Sequence, residues 1–381
     1  MKKLPFNPLQ FLMALGAGGI AVIPFAFMNY SVEHPKGLIA LKHIFPLLSG
    51  PSAFLYYILM IIMIVFGIVH VVLMVNFFIQ YINRKKTTQA QDYANDPLKN
   101  AGMTTPILAT AMTFNLFIWV IRFFIPILYE NLQLLMRPAL VLWIILRIVM
   151  MRQTLGLVKK SFATSFDMEK ITFSWLLIPF TIGMVTVVGT GIAALAKDTM
   201  IANTAAFLSL ISLGYGLFLF VTKTITLFQK HFSDTNGLPA KQTMPSVLSV
   251  IPGVTLYSIS IFRLLHYYGA QTGQHVEVLT FFVIMGAFTF QTWYLLFGAT
   301  ILKDYITKDF WKKEYYVTMR GLICPLVWYA VLWSFAYNVF FHNPIIYAIV
   351  LWATAFAIIF FVIISKKLYN CNRSNSSISC E

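Results

Sequence analysis

Six basic residues fall inside long apolar stretches of this 381-residue sequence, and no acidic residue falls in the middle of such a stretch. Arginine stays charged at any physiological pH and is costly in an apolar medium unless it is paired or hydrated. Without a nearby carboxylate, such a group needs water, a carbonyl, a lipid headgroup or a bound anion. The residue types therefore favour attraction of anions, with a purely structural role as the alternative for each. The six are Arg122, Arg147, Arg152, Lys223, Arg263 and Arg320.

The positions of these groups predict a pathway with positive ends. Arg122 and Arg263 lie towards one side of their stretches and are predicted to form an outer vestibule, with Arg320 near the inner mouth. Asn115 and Arg122 share a helical face by their spacing, so Asn115 joins the predicted pathway. Positive mouths and a nearly neutral middle attract anions without binding them too tightly to leave. Arg152 and Lys223, near the ends of their stretches, are expected to reach the aqueous surface instead.

The sequence shows no motif for catalysis, metal binding or nucleotide binding. The sequence contains no H-E-x-x-H, G-x-S-x-G, Walker or C-x-x-C pattern, so no catalytic residue, metal ligand or cofactor is predicted. His70, alone in its apolar stretch, is expected to be a hydrogen-bonded helix-packing residue. The net charge of +15 is attributed to membrane topology and anionic headgroups, and no nucleic-acid partner is predicted. The lack of a mid-span carboxylate weakens cation-coupled transport.

The elements that must position these residues are membrane helices. Apolar residues make up 59% of the chain and charged residues 11%, against roughly 25% charged in a soluble domain. Stretches long enough to cross a bilayer predict an all-α integral membrane fold with ten transmembrane helices in five hairpins. They cover residues 9–30, 54–82, 105–129, 138–158, 173–196, 203–228, 246–267, 276–302, 316–340 and 343–367.

Loop charge predicts the orientation. Alternate loops and the termini carry 18 lysines and arginines, and the intervening loops carry four. Basic loops remain in the cytoplasm, so both termini are predicted to be cytoplasmic in a plasma membrane or bacterial inner membrane. Residues 1–369 are predicted to form one membrane domain, in contact with membrane lipids. Residues 370–381 are predicted to be a disordered polar tail.

Proline predicts which helices line the pathway. An internal proline removes a backbone hydrogen bond and kinks a helix, and the freed carbonyl needs protein or a water-filled cavity. We therefore predict an inner ring of five kinked odd-numbered helices around a central pore and an outer ring of even-numbered helices. The alternative is that proline is simply frequent in membrane helices. The predicted kinks are at Pro24, Pro126, Pro179, Pro252 and Pro325, whereas Pro51, Pro138 and Pro344 lie at or before the starts of even spans.

Hydroxyl residues on the odd-numbered spans have helical spacing. Ser249, Ser260 and Arg263 lie along one face of the seventh span, and Thr186 and Thr190 along one face of the fifth. A narrow pore lined by weakly polar groups needs such residues. Close helix packing needs them equally, so the pattern leaves both interpretations open.

Three segments resemble the tellurite-resistance/dicarboxylate transporter (TDT) family, which includes bacterial TehA-like proteins and plant slow-type guard-cell anion channels. They are FLMALGAGGIAVIPFAF in the first span, MPSVLSVIPGVTLYSISIFRLLHY in the seventh and MRGLICPLVWYAVL in the ninth. The resemblance implies a homotrimer of independent pores, each gated by a phenylalanine on the ninth helix. This sequence has no phenylalanine beside Pro325, so the candidate gates are Phe25, Phe180 and Trp328.

The sequence therefore predicts a passive channel or uniporter for small inorganic or organic anions such as chloride, nitrate, sulfur oxyanions or small carboxylates. A proton-coupled exporter of dicarboxylates or sulfite-like anions is the first alternative. A membrane scaffold or enzyme is the second, although an enzyme is not predicted.

Overall fold

A computed structural model describes residues 7–35, 37–233, 238–312 and 314–373. This part of the chain is helical and contains ten helices long and apolar enough to cross a membrane, which confirms the predicted helical class and the number of candidate membrane spans. They are α1 (Pro8–Ser31), α2 (Ala53–Arg84), α3 (Asn100–Phe124), α4 (Leu132–Ala163), α5 (Phe173–Leu195), α6 (Thr199–Ser233), α7 (Met244–Thr272), α8 (Glu277–Asp309), α9 (Val317–Phe340) and α10 (Pro344–Arg373).

Burial alternates along the chain. In their most apolar segments the odd-numbered helices are 61% to 100% buried, and the even-numbered helices 28% to 39%. Exposed side chains on the even-numbered helices are mainly large and apolar, such as Ile61, Ile68 and Val75 on α2. Water would not favour such a surface over this extent, but lipid does.

The odd-numbered helices contact each other in sequence order. α1 contacts α3, α3 contacts α5, α5 contacts α7, α7 contacts α9, and α9 returns to α1. The even-numbered helices lie against these five: α2 against α1, α6 against α5, α8 against α7 and α10 against α9. α4 lies against α5 more extensively than against α3.

Each odd-numbered helix begins with a short 3₁₀ segment. In four of them a proline follows within the first three residues of the α-helical part, and each of these prolines lies 73 residues after the one before. Proline has no N–H to donate to the preceding turn, so it is tolerated at this junction at little cost. The four are Pro106, Pro179, Pro252 and Pro325.

The prediction that internal prolines belong only to odd-numbered helices is wrong. Pro24 does lie inside α1, but Pro138 lies inside α4, because this helix begins at Leu132, six residues before the predicted start at 138. Pro126 does not kink α3. It begins a separate short helix, Pro126–Glu130, after Ile125 adopts the extended conformation that a following proline favours.

The structure describes the first four residues of the predicted tail. α10 continues to Arg373 without a break, so residues 370–373 are helical. Residues 374–381 lie outside the described part of the chain.

One glycine allows three helices to approach closely. Gly189 of α5 faces α4 and α6, where an added Cβ would collide with the Trp143 ring and the Ser209 hydroxyl. The Trp143 Nε1 atom donates to the Val185 carbonyl at 2.8 Å, which fixes the ring against α5. The close contact between α4 and α5 therefore requires a residue without a side chain at position 189.

Gly189→Ala is expected to destabilise the protein by about 1–3 kcal/mol, because overpacking a rigid contact forces helices apart. The measurement is the apparent Tm in detergent. The matched control is Gly214→Ala on α6, where an added Cβ meets no atom within 4 Å. That control is expected to be neutral or slightly stabilising, and equal Tm values for the two variants would contradict the packing account.

Candidate functional site

A small central cavity is lined by residues from all five odd-numbered helices. Its volume is about 30 Å³, enough for one or two water molecules. Most of its lining is apolar or aromatic. The lining residues are Val22 and Ala26 of α1; Met112, Asn115 and Trp119 of α3; Val187 of α5; Ile259 and Arg263 of α7; and Trp328, Val331 and Phe335 of α9.

Arg263 is the charged residue among those that line the central cavity. Its Nη1 atom donates to the Val187 carbonyl at 2.8 Å, and its guanidinium lies 4.6 Å from the centroid of the Trp119 ring. A carbonyl and an aromatic face orient the group without neutralising it. No carboxylate lines the cavity, so the local charge is positive.

Asn115 also lines the cavity, but the predicted hydroxyl residues do not. Thr186 and Thr190 are buried and donate to carbonyls of their own helix, at 2.7 and 3.1 Å. Ser260 is fully buried, and Ser249 lies in the 3₁₀ segment of α7. Of the predicted pathway residues, the structure brings Asn115 and Arg263 together at the cavity, with Trp328 from the candidate gates.

Arg122 lies away from the central cavity. It is 2% exposed, and it donates through Nε to the Ile118 carbonyl at 3.0 Å and through Nη2 to the Ile39 carbonyl at 2.6 Å. It thereby fastens the segment between α1 and α2 to α3. The expected shared face with Asn115 fails because residues Phe117–Ile121 form a π-helix, whose wider turn rotates the residues that follow.

Arg320 is buried at the opposite end of the odd-numbered helices. It lies in the 3₁₀ segment Val317–Leu322, is 4% exposed, and donates through Nε to the Tyr315 hydroxyl. Its Nη1 atom is buried without a hydrogen-bond partner among the described residues. The five 3₁₀ segments contact each other in the same order as the helices. Helix N-termini carry partial positive charge, so this end of the bundle is electropositive.

A group of ion pairs joins two loops beside these 3₁₀ segments. The Lys241 ammonium lies 3.0 Å from an Asp309 oxygen and 2.7 Å from Glu314 Oε2. The Tyr316 hydroxyl donates to the same Glu314 oxygen at 2.6 Å. The hydrogen bond from Lys241 is the largest cause that lowers the pKa of Glu314, and the hydrogen bond from Tyr316 is the second.

The remaining basic residues of the apolar stretches are satisfied in other ways. Arg147 donates to the Leu208 carbonyl, and Arg152 is exposed as expected. Lys223 does not reach the surface: it is 5% exposed, and its ammonium lies 3.3 Å from the centroid of the Trp175 ring. A cation–π contact stabilises it there.

His70 contacts two neighbouring helices, as the packing interpretation predicted. Its Nδ1 lies 2.7 Å from the Ala14 carbonyl oxygen, and its Nε2 lies 2.9 Å from the Thr113 hydroxyl. The residue is fully buried, so its ring fixes α2 against α1 and α3.

The candidate gate residues differ in position. Trp328 lines the cavity, whereas Phe25 packs edge-to-face on Trp119 at 5.0 Å without lining it. Phe180 is buried elsewhere on α5. The sequence prediction missed Val331 and Phe335, although their spacing of three and seven residues from Trp328 is the signal of a shared helical face.

No protein-family model matches the sequence, and no curated protein matches it significantly. The resemblance to the TDT family therefore remains a prediction from the sequence.

Glu314→Gln is expected to lower the apparent Tm at neutral pH, with the loss confined to the pH range where Glu314 is ionised. A carboxylate whose pKa is lowered in the fold stabilises it above the unfolded value of about 4.3, and this contribution disappears as pH falls through the folded value. The measurement is the Tm of both proteins in detergent between pH 3 and pH 7. A Tm difference that persists at pH 3 would contradict the ion-pair account. In a Lys241→Gln background the pH dependence should diminish.

Proposed function

We propose that the protein is a membrane channel or uniporter that passes small anions through the central cavity of each protomer. The observation that carries the proposal is the charge at the cavity: Arg263 lines it, and no carboxylate does. A fixed positive charge in an apolar constriction attracts anions and repels cations.

The contact order of the helices supports a pathway along the bundle axis. Contacts run from α1 through α3, α5, α7 and α9 back to α1, and all five contribute to the cavity lining. We infer an inner ring of odd-numbered helices and an outer ring of even-numbered helices, built from five hairpins. Burial of the first set and apolar exposure of the second support this arrangement.

The electropositive end of the bundle, where the 3₁₀ segments meet, also supports selectivity for anions over cations. Arg320 adds a buried guanidinium there, next to five helix N-termini. We infer that this end forms the cytoplasmic mouth, because the loops beside it carry most of the basic residues. Anions would then meet positive charge at the mouth and again at Arg263.

The narrowness of the cavity supports a closed state of the pathway. A volume of about 30 Å³ cannot hold a hydrated anion, and apolar constrictions stop conduction by excluding water. We propose Trp328 as the gate, in the region of α9 where the TDT family carries a phenylalanine. The apolar lining and single guanidinium favour small singly charged anions over doubly charged ones, because less hydration must be lost.

Membership of the TDT family, a homotrimer and cytoplasmic termini in a plasma or bacterial inner membrane complete the proposal. The resemblance of the first, seventh and ninth spans supports the first two, and loop charge supports the third.

Arg263→Gln is expected to reduce the permeability of chloride relative to potassium by roughly fivefold or more, since one unit charge near the ion path is removed. The measurement is the reversal potential in planar bilayers under a salt gradient. Arg263→Lys, which retains the charge, should preserve anion selectivity.

Arg137→Gln is the matched control, because it removes the same charge from a site 79% exposed at the start of α4. Its selectivity should equal that of the wild type. If Arg263→Gln retains wild-type selectivity, the proposed pathway is wrong. Anion uptake driven by a proton gradient against the anion gradient would favour the coupled exporter.

Trp328→Ala is expected to increase anion conductance several-fold, because it removes one of the two tryptophan rings that line the constriction. Single-channel or liposome flux measurements test this. Trp352→Ala, on the exposed face of α10, is the control and should conduct like the wild type. An unchanged flux in Trp328→Ala would remove Trp328 as the gate.

A further inference from the structure

A groove of about 530 Å³ runs along α4 at the end that carries Lys159 and Lys160. We call it the α4 groove. Its basic residues, Arg152 and Lys160, lie on α4 on either side of Gly156. Met103 of α3 and Ala94 of the short helix Thr88–Asn95 form the opposite wall. No residue that lines the groove is acidic.

The two cations are positioned to share one anion. Residues eight apart are slightly more than two turns apart, about 80° from each other around the helix and about 12 Å apart along its axis, so their long side chains can reach a group that lies between them. Arg152 is exposed and has no ion pair or hydrogen bond with a described residue. The Lys160 ammonium donates to the Ala94 carbonyl at 3.2 Å and to Asn95 Oδ1 at 2.9 Å, which leaves one N–H available.

Gly156 leaves space between these two side chains. A Cβ built at this position would meet no atom within 4 Å. The long side chains of Arg152 and Lys160 therefore flank an open space above the backbone of α4 at Gly156. We call this space the seat. Phosphate fits such a seat, because guanidinium and ammonium groups both donate charge-assisted hydrogen bonds to its oxygens.

The groove continues into an apolar section. Val149 lines it on α4, about one turn before Arg152, and Met103 lines it from α3. The neighbouring face of α4 exposes Ile145, Ile148 and Val149, which are 54%, 57% and 48% exposed. A helix surface of this kind contacts acyl chains. The groove thus joins a cationic seat to a surface that lipid covers.

We propose that the α4 groove binds one anionic phospholipid. Its phosphate lies between Arg152 and Lys160 over Gly156, and one acyl chain follows Val149 and Met103. A soluble phosphate would satisfy the charges but would leave the apolar section uncovered, which is why the occupant is a lipid. The site is separate from the central cavity and does not depend on the proposed anion conduction.

The charge test uses delipidated full-length protein titrated with phosphatidylglycerol and measured by native mass spectrometry. Arg152→Gln/Lys160→Gln is expected to weaken binding of the tightest lipid by roughly tenfold, because each basic residue contributes severalfold to attraction. Lys159→Gln removes the neighbouring exposed charge outside the groove and should bind as the wild type does. Equal weakening in Lys159→Gln would indicate general surface attraction and overturn the proposal.

The shape test uses Gly156→Leu, which fills the seat and leaves every charge in place. Leucine favours the helix more than glycine does, so the variant should fold. It is expected to lose the tight lipid to the same extent as the double variant. Wild-type binding by Gly156→Leu would overturn the proposal. Full competition by glycerol 3-phosphate, which has the headgroup chemistry without chains, would show a soluble-phosphate site and overturn the assignment to lipid.

Discussion

The arrangement of this protein depends on how cationic side chains are satisfied where carboxylates are absent. The ion pairs of the described residues all involve loops or helix ends. Arg122, Arg147 and Arg263 instead donate to backbone carbonyls of neighbouring segments. A carbonyl provides a hydrogen bond but no compensating charge. Each such contact therefore both joins separate segments of the chain and leaves a positive charge without a carboxylate partner, and at Arg263 that charge borders the central cavity.

Close approach of the helices makes these contacts possible. Gly189 lets α5 meet Trp143 and Ser209, and in four odd-numbered helices a proline, each 73 residues after the last, follows the 3₁₀ segment within the first three α-helical residues. Because the segments contact each other in order, the N-terminal ends of the odd-numbered helices meet at one end of the bundle. The positive end and the positive cavity thus have a common origin in how the odd-numbered helices pack.

Much of the fold was predictable because the thickness of the bilayer sets the minimum length of a membrane-spanning helix, and hydropathy detects apolar stretches of that length. Ten helices followed from apolar runs. Asn115, Arg263 and Trp328 were candidates for the pathway or its gate, but the sequence placed Arg263 in an outer vestibule and not at a cavity shared by all five odd-numbered helices. Local backbone events were not predictable in this way. The π-helix Phe117–Ile121 rotates Arg122 away from the cavity, and extended Ile125 separates Pro126 from α3. Lys223 is buried because Trp175 lies across from it, a contact that sequence spacing does not reveal.

We propose that positive charge without compensating carboxylates makes the pathway selective for anions. The most direct measurement is the reversal potential of the wild-type protein in a planar bilayer under a potassium chloride gradient, followed by replacement of chloride with nitrate or gluconate. We expect a reversal potential near the chloride equilibrium potential that shifts with each replacement anion. A reversal potential near the potassium equilibrium potential, unchanged by anion replacement, would contradict it.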